Sequence, residues 1–145
     1  MRVNEMTEAA LASSLTEAGP LILQAFAWDM APDASHWRYL AEHAQEIADL
    51  GVTIIWLPPA YKGHEGINDV GYGVYDLYDL GEFDQRGSVP TKYGTKDEYL
   101  AAIEALHAAG IAVCADIVLN HRMGADASET VRATPINPQN RHEAI

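Results

Sequence analysis

Three short apolar runs, 21–26, 52–57 and 111–119, are separated by segments with helical or loop character. The middle run is almost entirely β-branched or aromatic, which is typical of a strand that is covered on both faces. It ends at Pro58-Pro59. Strands that alternate with helices predict an α/β fold with a parallel sheet and right-handed crossovers.

Two segments between the runs have the spacing of amphipathic helices. The first begins near Ser35 and ends at Gly51, and the second begins at Thr95 and ends at Gly110. Thr95 and Glu98 have the pattern of a capping box, in which each side chain bonds to the backbone of the other residue. We therefore expect one helix before the second strand and another before the third.

A long segment, 58–94, connects the second strand to the second helix and is rich in Gly, Tyr and Asp. Loops of this length are uncommon in compact domains and usually carry function or are disordered. The sequence from Asp69 to Asp79 contains three tyrosines and three aspartates. Tyrosine combines an apolar ring, which can stack on a sugar, with a hydroxyl group that bonds at the edge. A tyrosine-rich hairpin that packs on its own domain is the alternative.

The third apolar run ends in Asp116-Ile-Val-Leu-Asn120-His121. The side-chain oxygen of Asn120 is a suitable ligand for Ca²⁺, and His121 can donate to a sugar hydroxyl group. A simple turn after the strand is the alternative. We expect Asp116 to lie inside the strand, where its buried carboxylate must be hydrogen-bonded and acts as a structural anchor.

Gln24, Phe26 and Trp28 alternate along and after the first run. We expect Phe26 to pack inward, whereas Gln24 and Trp28 can reach a site at the rim of the sheet. The Gly-rich phosphate loop of dinucleotide-binding folds does not follow this run, which disfavours that class. In a doubly wound sheet and in a barrel alike, the residues after the strand ends form the functional rim.

The charge of the chain limits its partners. Nine basic and 21 acidic residues give a formal net charge of −12, which disfavours nucleic acids and anionic membranes but is compatible with a neutral sugar polymer. No run approaches the roughly 20 apolar residues of a membrane span. The N-terminal sequence lacks the pattern of a secretory signal and Cys114 is the one cysteine, so we expect a cytoplasmic protein.

Three stretches of the chain resemble the liquefying-type bacterial α-amylases of glycoside hydrolase family 13. They are Trp56-Leu-Pro-Pro-Ala-Tyr-Lys-Gly63, the segment 69–83 together with 91–96, and Asp116-Ile-Val-Leu-Asn-His121. The last stretch matches the first short signature region of the family. The resemblance extends from about residue 20 to the end of the sequence.

This resemblance implies the N-terminal part of a (β/α)8 TIM barrel. Residues 20–121 would supply the first three strands and two helices of the catalytic barrel, and residues 122–145 would begin the inserted domain B. Residues 1–19 would form a flexible leader.

The resemblance also implies retaining hydrolysis of internal α-1,4 links in starch or glycogen, with an α-glucan or maltooligosaccharide as partner. By position, Tyr72 matches a tyrosine that stacks on the sugar next to the cleavage point, and His121 matches a histidine that bonds a hydroxyl group of that sugar. Gln24 and Trp28 match positions near the same pocket. Asn120 matches a ligand of Ca²⁺ between the barrel and the inserted domain.

In such enzymes one carboxylate attacks the anomeric carbon and a second carboxyl group protonates the leaving oxygen. The family places these groups after the fourth, fifth and seventh strands, so the resemblance implies that this chain holds none of them and is inactive alone. The alternatives are a non-catalytic glucan-binding module and a relative that transfers or isomerises glucosyl units.

Overall fold

The computed structural model describes residues 19–127 and 129–145, so the predicted leader lies outside the described residues except for Gly19. The strands are β1 Ile22–Gln24, β2 Ile54–Leu57, β3 Lys62–Gly63, β4 Val74–Asp76, β5 Ala112–Ala115, β6 Ile136–Asn137 and β7 Asn140–Ala144. The α-helices are α1 His36–Glu42, α2 Ala44–Asp49 and α3 Lys96–Ala108, and a short 3₁₀ turn covers Gly66–Asn68.

The three apolar runs form one parallel sheet in the order β1-β2-β5. Ile22 lies opposite Ile54, and Ile54 lies opposite Ala112, so β2 is the central strand. The fold is α/β with the parallel strands expected for the start of a (β/α)8 barrel, which confirms the predicted fold class. No helix within the described ranges is long and apolar enough to cross a membrane.

The helices cover one side of this sheet. Trp37 and Leu40 of α1 and Ala102 and Leu106 of α3 are buried against Ile55 of the central strand in one hydrophobic core. The capping box is present, because the Thr95 side chain accepts from the Glu98 backbone and the Glu98 carboxylate accepts from the Thr95 backbone. The first predicted helix differs from expectation, since His43 leaves helical geometry and divides it into α1 and α2.

One prediction about the C-terminal part was wrong. β5 ends at Ala115, so Asp116 follows the strand and is half-buried, although its backbone still donates to the Leu57 carbonyl oxygen over 3.3 Å. The segment after Asn120, which shows no periodicity in sequence, contains the antiparallel hairpin of β6 and β7. The Asn137 carboxamide accepts from the Gln139 backbone and closes the turn of this hairpin.

The outer strands of the sheet leave apolar side chains exposed. Leu21, Ile22 and Leu23 at β1 and Ile117 and Leu119 after β5 are all exposed to solvent. Among the described residues, β1 and β5 each pair with β2 alone. A closed barrel covers both of these edges, because every strand in it has two neighbours.

The long loop, 58–94, is fixed by a buried lysine. β3 and β4 pair within it as short antiparallel strands. The ammonium group of Lys62 is fully buried and donates to the carbonyl oxygens of Ser88, at 2.6 Å, and Val89, at 2.7 Å. The carboxylate of Asp79 lies 3.5 Å from the same nitrogen. We call these groups the Lys62 cage.

Candidate functional site

Tyr72 lies at the turn between the 3₁₀ segment and β4, and the backbone around it is shaped by Asp69. One carboxylate oxygen of Asp69 accepts from the backbone of Gly71, at 2.8 Å, and of Gly73, at 3.1 Å. Gly71 has a φ of +97°, and a side chain there would meet Pro59. At Gly73 a side chain would meet the carboxylate of Asp69 itself. Glycine is therefore required on both sides of Tyr72.

The hydroxyl group of Tyr72 is fixed by Asp116. It donates to the carboxylate over 2.7 Å, and the indole nitrogen of Trp56 donates to the same oxygen over 3.2 Å. Burial raises the pKa of Tyr72, and the bond to the charged Asp116 raises it further. The phenol is therefore protonated at neutral pH. The predicted role of Asp116 as a hydrogen-bonded anchor is confirmed, and the group that it anchors is Tyr72.

Trp28 stacks on the ring of Tyr72. The ring centroids are 5.9 Å apart and the planes differ by 6°, which is within the range of offset stacking. Trp28 is 70% exposed, so most of its indole remains open to a ligand. The Trp28–Tyr72 pair, as we call it, brings together two of the residues that the sequence predicted to form a site.

His121 is exposed and lies against the backbone of Tyr72. Its Nε2 is 2.9 Å from the Tyr72 carbonyl oxygen, and because a carbonyl oxygen can only accept, the imidazole donates. The Nδ1 atom then faces the Asn120 carboxamide nitrogen at 3.5 Å. His121 therefore holds the tyrosine in place, and its predicted contact with a sugar remains a prediction.

A cavity of about 390 Å³ opens beside the Trp28–Tyr72 pair. Its lining also includes His64, Asn68, Lys92 and Met123. The segment that carries Met123 is bonded to the edge of β4, because the Met123 backbone donates to the Val74 carbonyl oxygen over 2.8 Å. A flat aromatic surface with polar groups around it suits a ligand that has an apolar face and hydroxyl groups at its edge.

Gln24 lies apart from this cavity. It lines a second cavity of about 410 Å³ together with Phe26 and His36, and its carboxamide donates to the Phe26 carbonyl oxygen over 3.1 Å. Phe26 packs edge-on against Trp56. The four predicted sugar-binding residues thus divide into Trp28, Tyr72 and His121, which lie together, and Gln24, which lies elsewhere.

The predicted calcium ligand, Asn120, is exposed and bonds to His121. In the described ranges no three His, Cys, Asp or Glu side chains converge in a way that could hold a metal ion. Ca²⁺ takes six to eight oxygen ligands. Asn120 offers one of these, so the residues described here do not form a calcium site by themselves.

A comparison with known protein families identifies the family of the chain. The family described as "Alpha amylase, catalytic domain" matches residues 26–140, which include the Trp28–Tyr72 pair, Asp116 and His121. The chain belongs to the α-amylase family.

Its relatives within this α-amylase family include two bacterial α-amylases. The chain is 53% identical over 124 residues to an α-amylase of Geobacillus stearothermophilus, covering 86% of this chain and 22% of the relative. It is 52% identical over 122 residues to the cytoplasmic α-amylase of Escherichia coli, covering 84% of this chain and 25% of that one. The chain therefore spans about a fifth to a quarter of the length of these relatives.

Among solved structures, a truncated alternansucrase of Leuconostoc mesenteroides is similar, with a TM-score of 0.58 and 32% identity over 67% of this chain and 10% of that one. Together with the family match, this likeness supports the assignment of the parallel sheet to part of a barrel.

Sequence reasoning missed Lys92 and Asp69 as residues of the site. Asp69 had a recognisable signal, because an aspartate followed closely by glycines favours a turn in which the carboxylate accepts from the backbone. Lys92 is only 6% exposed yet lines the cavity beside Tyr72. Nothing in its local sequence distinguishes it from a lysine on the surface.

Proposed function

We propose that this chain forms the sugar-binding part of an α-amylase that cleaves internal α-1,4 links of starch or glycogen with retention. The Trp28–Tyr72 pair is the observation that carries the proposal. Its two nearly parallel rings border an open cavity, and the hydroxyl group of Tyr72 is fixed by Asp116. A glucose ring offers the apolar face and peripheral hydroxyl groups that such a surface binds.

The relatives support an amylase over the other activities considered. The α-amylases of Geobacillus stearothermophilus and Bacillus licheniformis are 53% and 50% identical to this chain. The trehalose synthase/amylase of Mycobacterium tuberculosis is 31% identical over 70% of it. We accordingly favour hydrolysis over glucosyl transfer or isomerisation. Analysis of the products formed from starch by a protein that contains this chain would distinguish these reactions.

The chain contributes binding and orientation, and a longer protein would contribute the chemistry. The half-buried carboxylate of Asp116, next to the Trp28–Tyr72 pair, already accepts from Tyr72 and Trp56. A nucleophile and an acid/base about 5 Å apart are required for retention, and we assign them to later barrel strands. The 145-residue chain alone should release no reducing sugar from starch, and measurable turnover would contradict this assignment.

The proposal also includes a bound Ca²⁺ ion and a cytoplasmic location. We infer that Asn120 would bind Ca²⁺ together with oxygen ligands from elsewhere in a longer protein, since its amide oxygen is of the type that Ca²⁺ prefers. A cytoplasmic location is supported by the 52% identity to the cytoplasmic α-amylase of Escherichia coli.

The binding part of the proposal can be tested on this chain. Titration with maltoheptaose should quench or shift the fluorescence of Trp28 and release heat in calorimetry. Tyr72→Ala should weaken binding by roughly tenfold or more, because stacking and a fixed hydroxyl group are lost together. Tyr78→Ala is the matched control, since Tyr78 lies in the same loop and is 88% exposed. Equal affinities of the two variants would refute the role of the Trp28–Tyr72 pair.

A further inference from the structure

Lys92 is a mostly buried lysine of the loop whose ammonium group has no partner among the described residues. Within residues 19–127 and 129–145, the ion pairs of lysine are those of Lys62 with Asp79 and of Lys96 with Glu82. Lys92 is only 6% exposed, and its ammonium group has neither a hydrogen bond nor an ion pair in the same ranges. Its backbone is fixed, because the carbonyl oxygen accepts from Ala34 over 3.2 Å.

The Lys92 nitrogen is not among the fully buried polar atoms that lack a partner in the described ranges, so the ammonium group reaches solvent while the rest of the residue is buried. Lys92 lines the same cavity as Trp28 and Tyr72. Three N–H bonds of the ammonium group are therefore available to whatever occupies that cavity.

The acidic groups around the cavity favour a neutral ligand over an anionic one. Asp69 and Glu65 also line it, and the chain as a whole carries a formal net charge of −12. The carboxylate of Asp69 is held by three backbone groups, those of Glu65, Gly71 and Gly73, so it stays in place when a ligand arrives. A phosphate or carboxylate would meet these two acidic groups, whereas neutral hydroxyl groups would accept from Lys92 without repulsion.

We propose that Lys92 is a sugar-binding residue, whose ammonium group donates to hydroxyl oxygens of the glucose ring that stacks on the Trp28–Tyr72 pair. This inference rests on the proposed glucan-binding function and adds to it the group that orients the ring. Aromatic stacking tolerates rotation of a sugar in the plane of the ring. A fixed donor on one side of the cavity removes that freedom and thereby selects the arrangement of hydroxyl groups.

Lys92→Met tests the proposal, because methionine preserves much of the apolar stem and removes the charge. We expect maltoheptaose to bind roughly tenfold more weakly, which is the loss typical of a hydrogen bond to a charged group. Stability in urea should stay close to that of the wild type, because the ammonium group has no partner to lose among the described residues and methionine keeps much of the apolar stem. A purely structural lysine predicts the opposite pair of results, namely lost stability and unchanged affinity per folded molecule.

Monodeoxy analogues of a maltooligosaccharide sharpen the test. An analogue that lacks the hydroxyl group bound by Lys92 should have the same affinity for the wild-type chain and for Lys92→Met, whereas the other analogues should still distinguish them. Lys96→Met is the matched control, because Lys96 lies on the surface of the same loop–helix junction and pairs with Glu82. We expect its affinity to equal that of the wild type.

The possible results separate the two proposals. If the wild-type chain does not bind maltoheptaose, the proposed function fails at the level of this chain. If the wild type binds and Lys92→Met binds equally well, the role of Lys92 is refuted while the proposed function stands. Displacement of maltoheptaose by millimolar inorganic phosphate, lost in Lys92→Met, would identify an anion site and overturn the assignment to a neutral sugar.

Discussion

The long loop, 58–94, and the parallel sheet achieve order by opposite means. The loop buries the polar groups of Lys62 and Asp69 and provides both with several partners. The sheet leaves apolar side chains such as Ile22 and Leu119 exposed at its edges. Hydrogen bonds within the loop therefore determine most of its shape. The sheet, in contrast, has exposed apolar surface that a closed barrel would cover.

This difference indicates that the loop and the sheet are stabilised by different kinds of interaction. Directional hydrogen bonds fix a unique loop shape and hold Tyr72 in place, because a group that loses its partner in the interior incurs the full cost of desolvation. Apolar burial is less directional and depends on the amount of surface covered. The following predictions test whether the loop depends on its polar groups more than the sheet depends on its exposed apolar ones.

Lys62→Met should have the largest effect. The change leaves the buried carboxylate of Asp79 and several carbonyl oxygens without their cation, and removal of one partner of a buried pair costs about 3–5 kcal/mol. The free energy of unfolding from urea denaturation measures the loss. Lys96→Met provides the control, since the partly exposed pair of Lys96 with Glu82 should contribute no more than about 1 kcal/mol. Equal losses would show that the Lys62 cage does not hold the loop.

Asp69→Ala should have the next largest effect. Three backbone N–H groups lose their acceptor, and we expect a loss of about 1–3 kcal/mol in the free energy of unfolding. The affinity for maltoheptaose should fall as well, because two of those groups belong to the glycines beside Tyr72. Asp84→Ala, at an exposed position in the same loop, is the control for a lost negative charge.

Stability should fall as the pH is lowered through the range set by His36. This residue lies where α1 meets the loop and packs on Trp37 and Tyr93. Burial lowers the pKa of His36 from the ordinary value of 6.5. The unfolded chain then binds more protons than the folded chain, so the stabilisation is complete above about pH 6.5 and declines below it.

Urea denaturation at a series of pH values measures this dependence. His36→Gln should flatten the profile between pH 6.5 and the lower pKa of the folded state. The lowered pKa of Glu98 contributes separately at more acidic pH, below the ordinary value of 4.5. A wild-type profile that is flat from pH 7 to 5 would contradict the prediction for His36.

Leu119→Asn should have the smallest effect. Leu119 is 80% exposed after β5, and substitutions at such positions usually change stability by less than about 0.5 kcal/mol. The free energy of unfolding of the 145-residue chain measures it. A loss comparable to that of Lys62→Met would show that the edge of the sheet is covered in solution and would weaken the comparison with the loop.

The sequence was most informative where local patterns determine structure. The apolar runs, the capping box of Thr95 and Glu98, and the end of the second helix near Gly110 all depend on residues close together along the chain. Trp28, Tyr72 and His121 were predicted to lie together through the family resemblance and the placement of residues after the strand ends. The structure confirms that these three are neighbours, and their roles toward a sugar stay predictions.

The features that escaped prediction depend on contacts between distant residues. Lys62 and Lys92 look like ordinary surface lysines in sequence, and only the folded loop shows that both are buried. The hairpin of β6 and β7 has a mostly polar sequence with no buried face to set a period. β1 extends over only three residues, and among the described strands it pairs with β2 alone.

The Lys62 cage also bears on the order in which the chain folds. Pairing of β2 with the segment at the end of β5 brings together Trp56 and Asp116, which are 60 residues apart, and such non-local pairing is slow. The cage joins residues 26 and 27 positions apart. A loop that compacts first shortens the stretch of chain that must close before the two strands can pair, so we expect the Lys62 cage to speed assembly of the sheet.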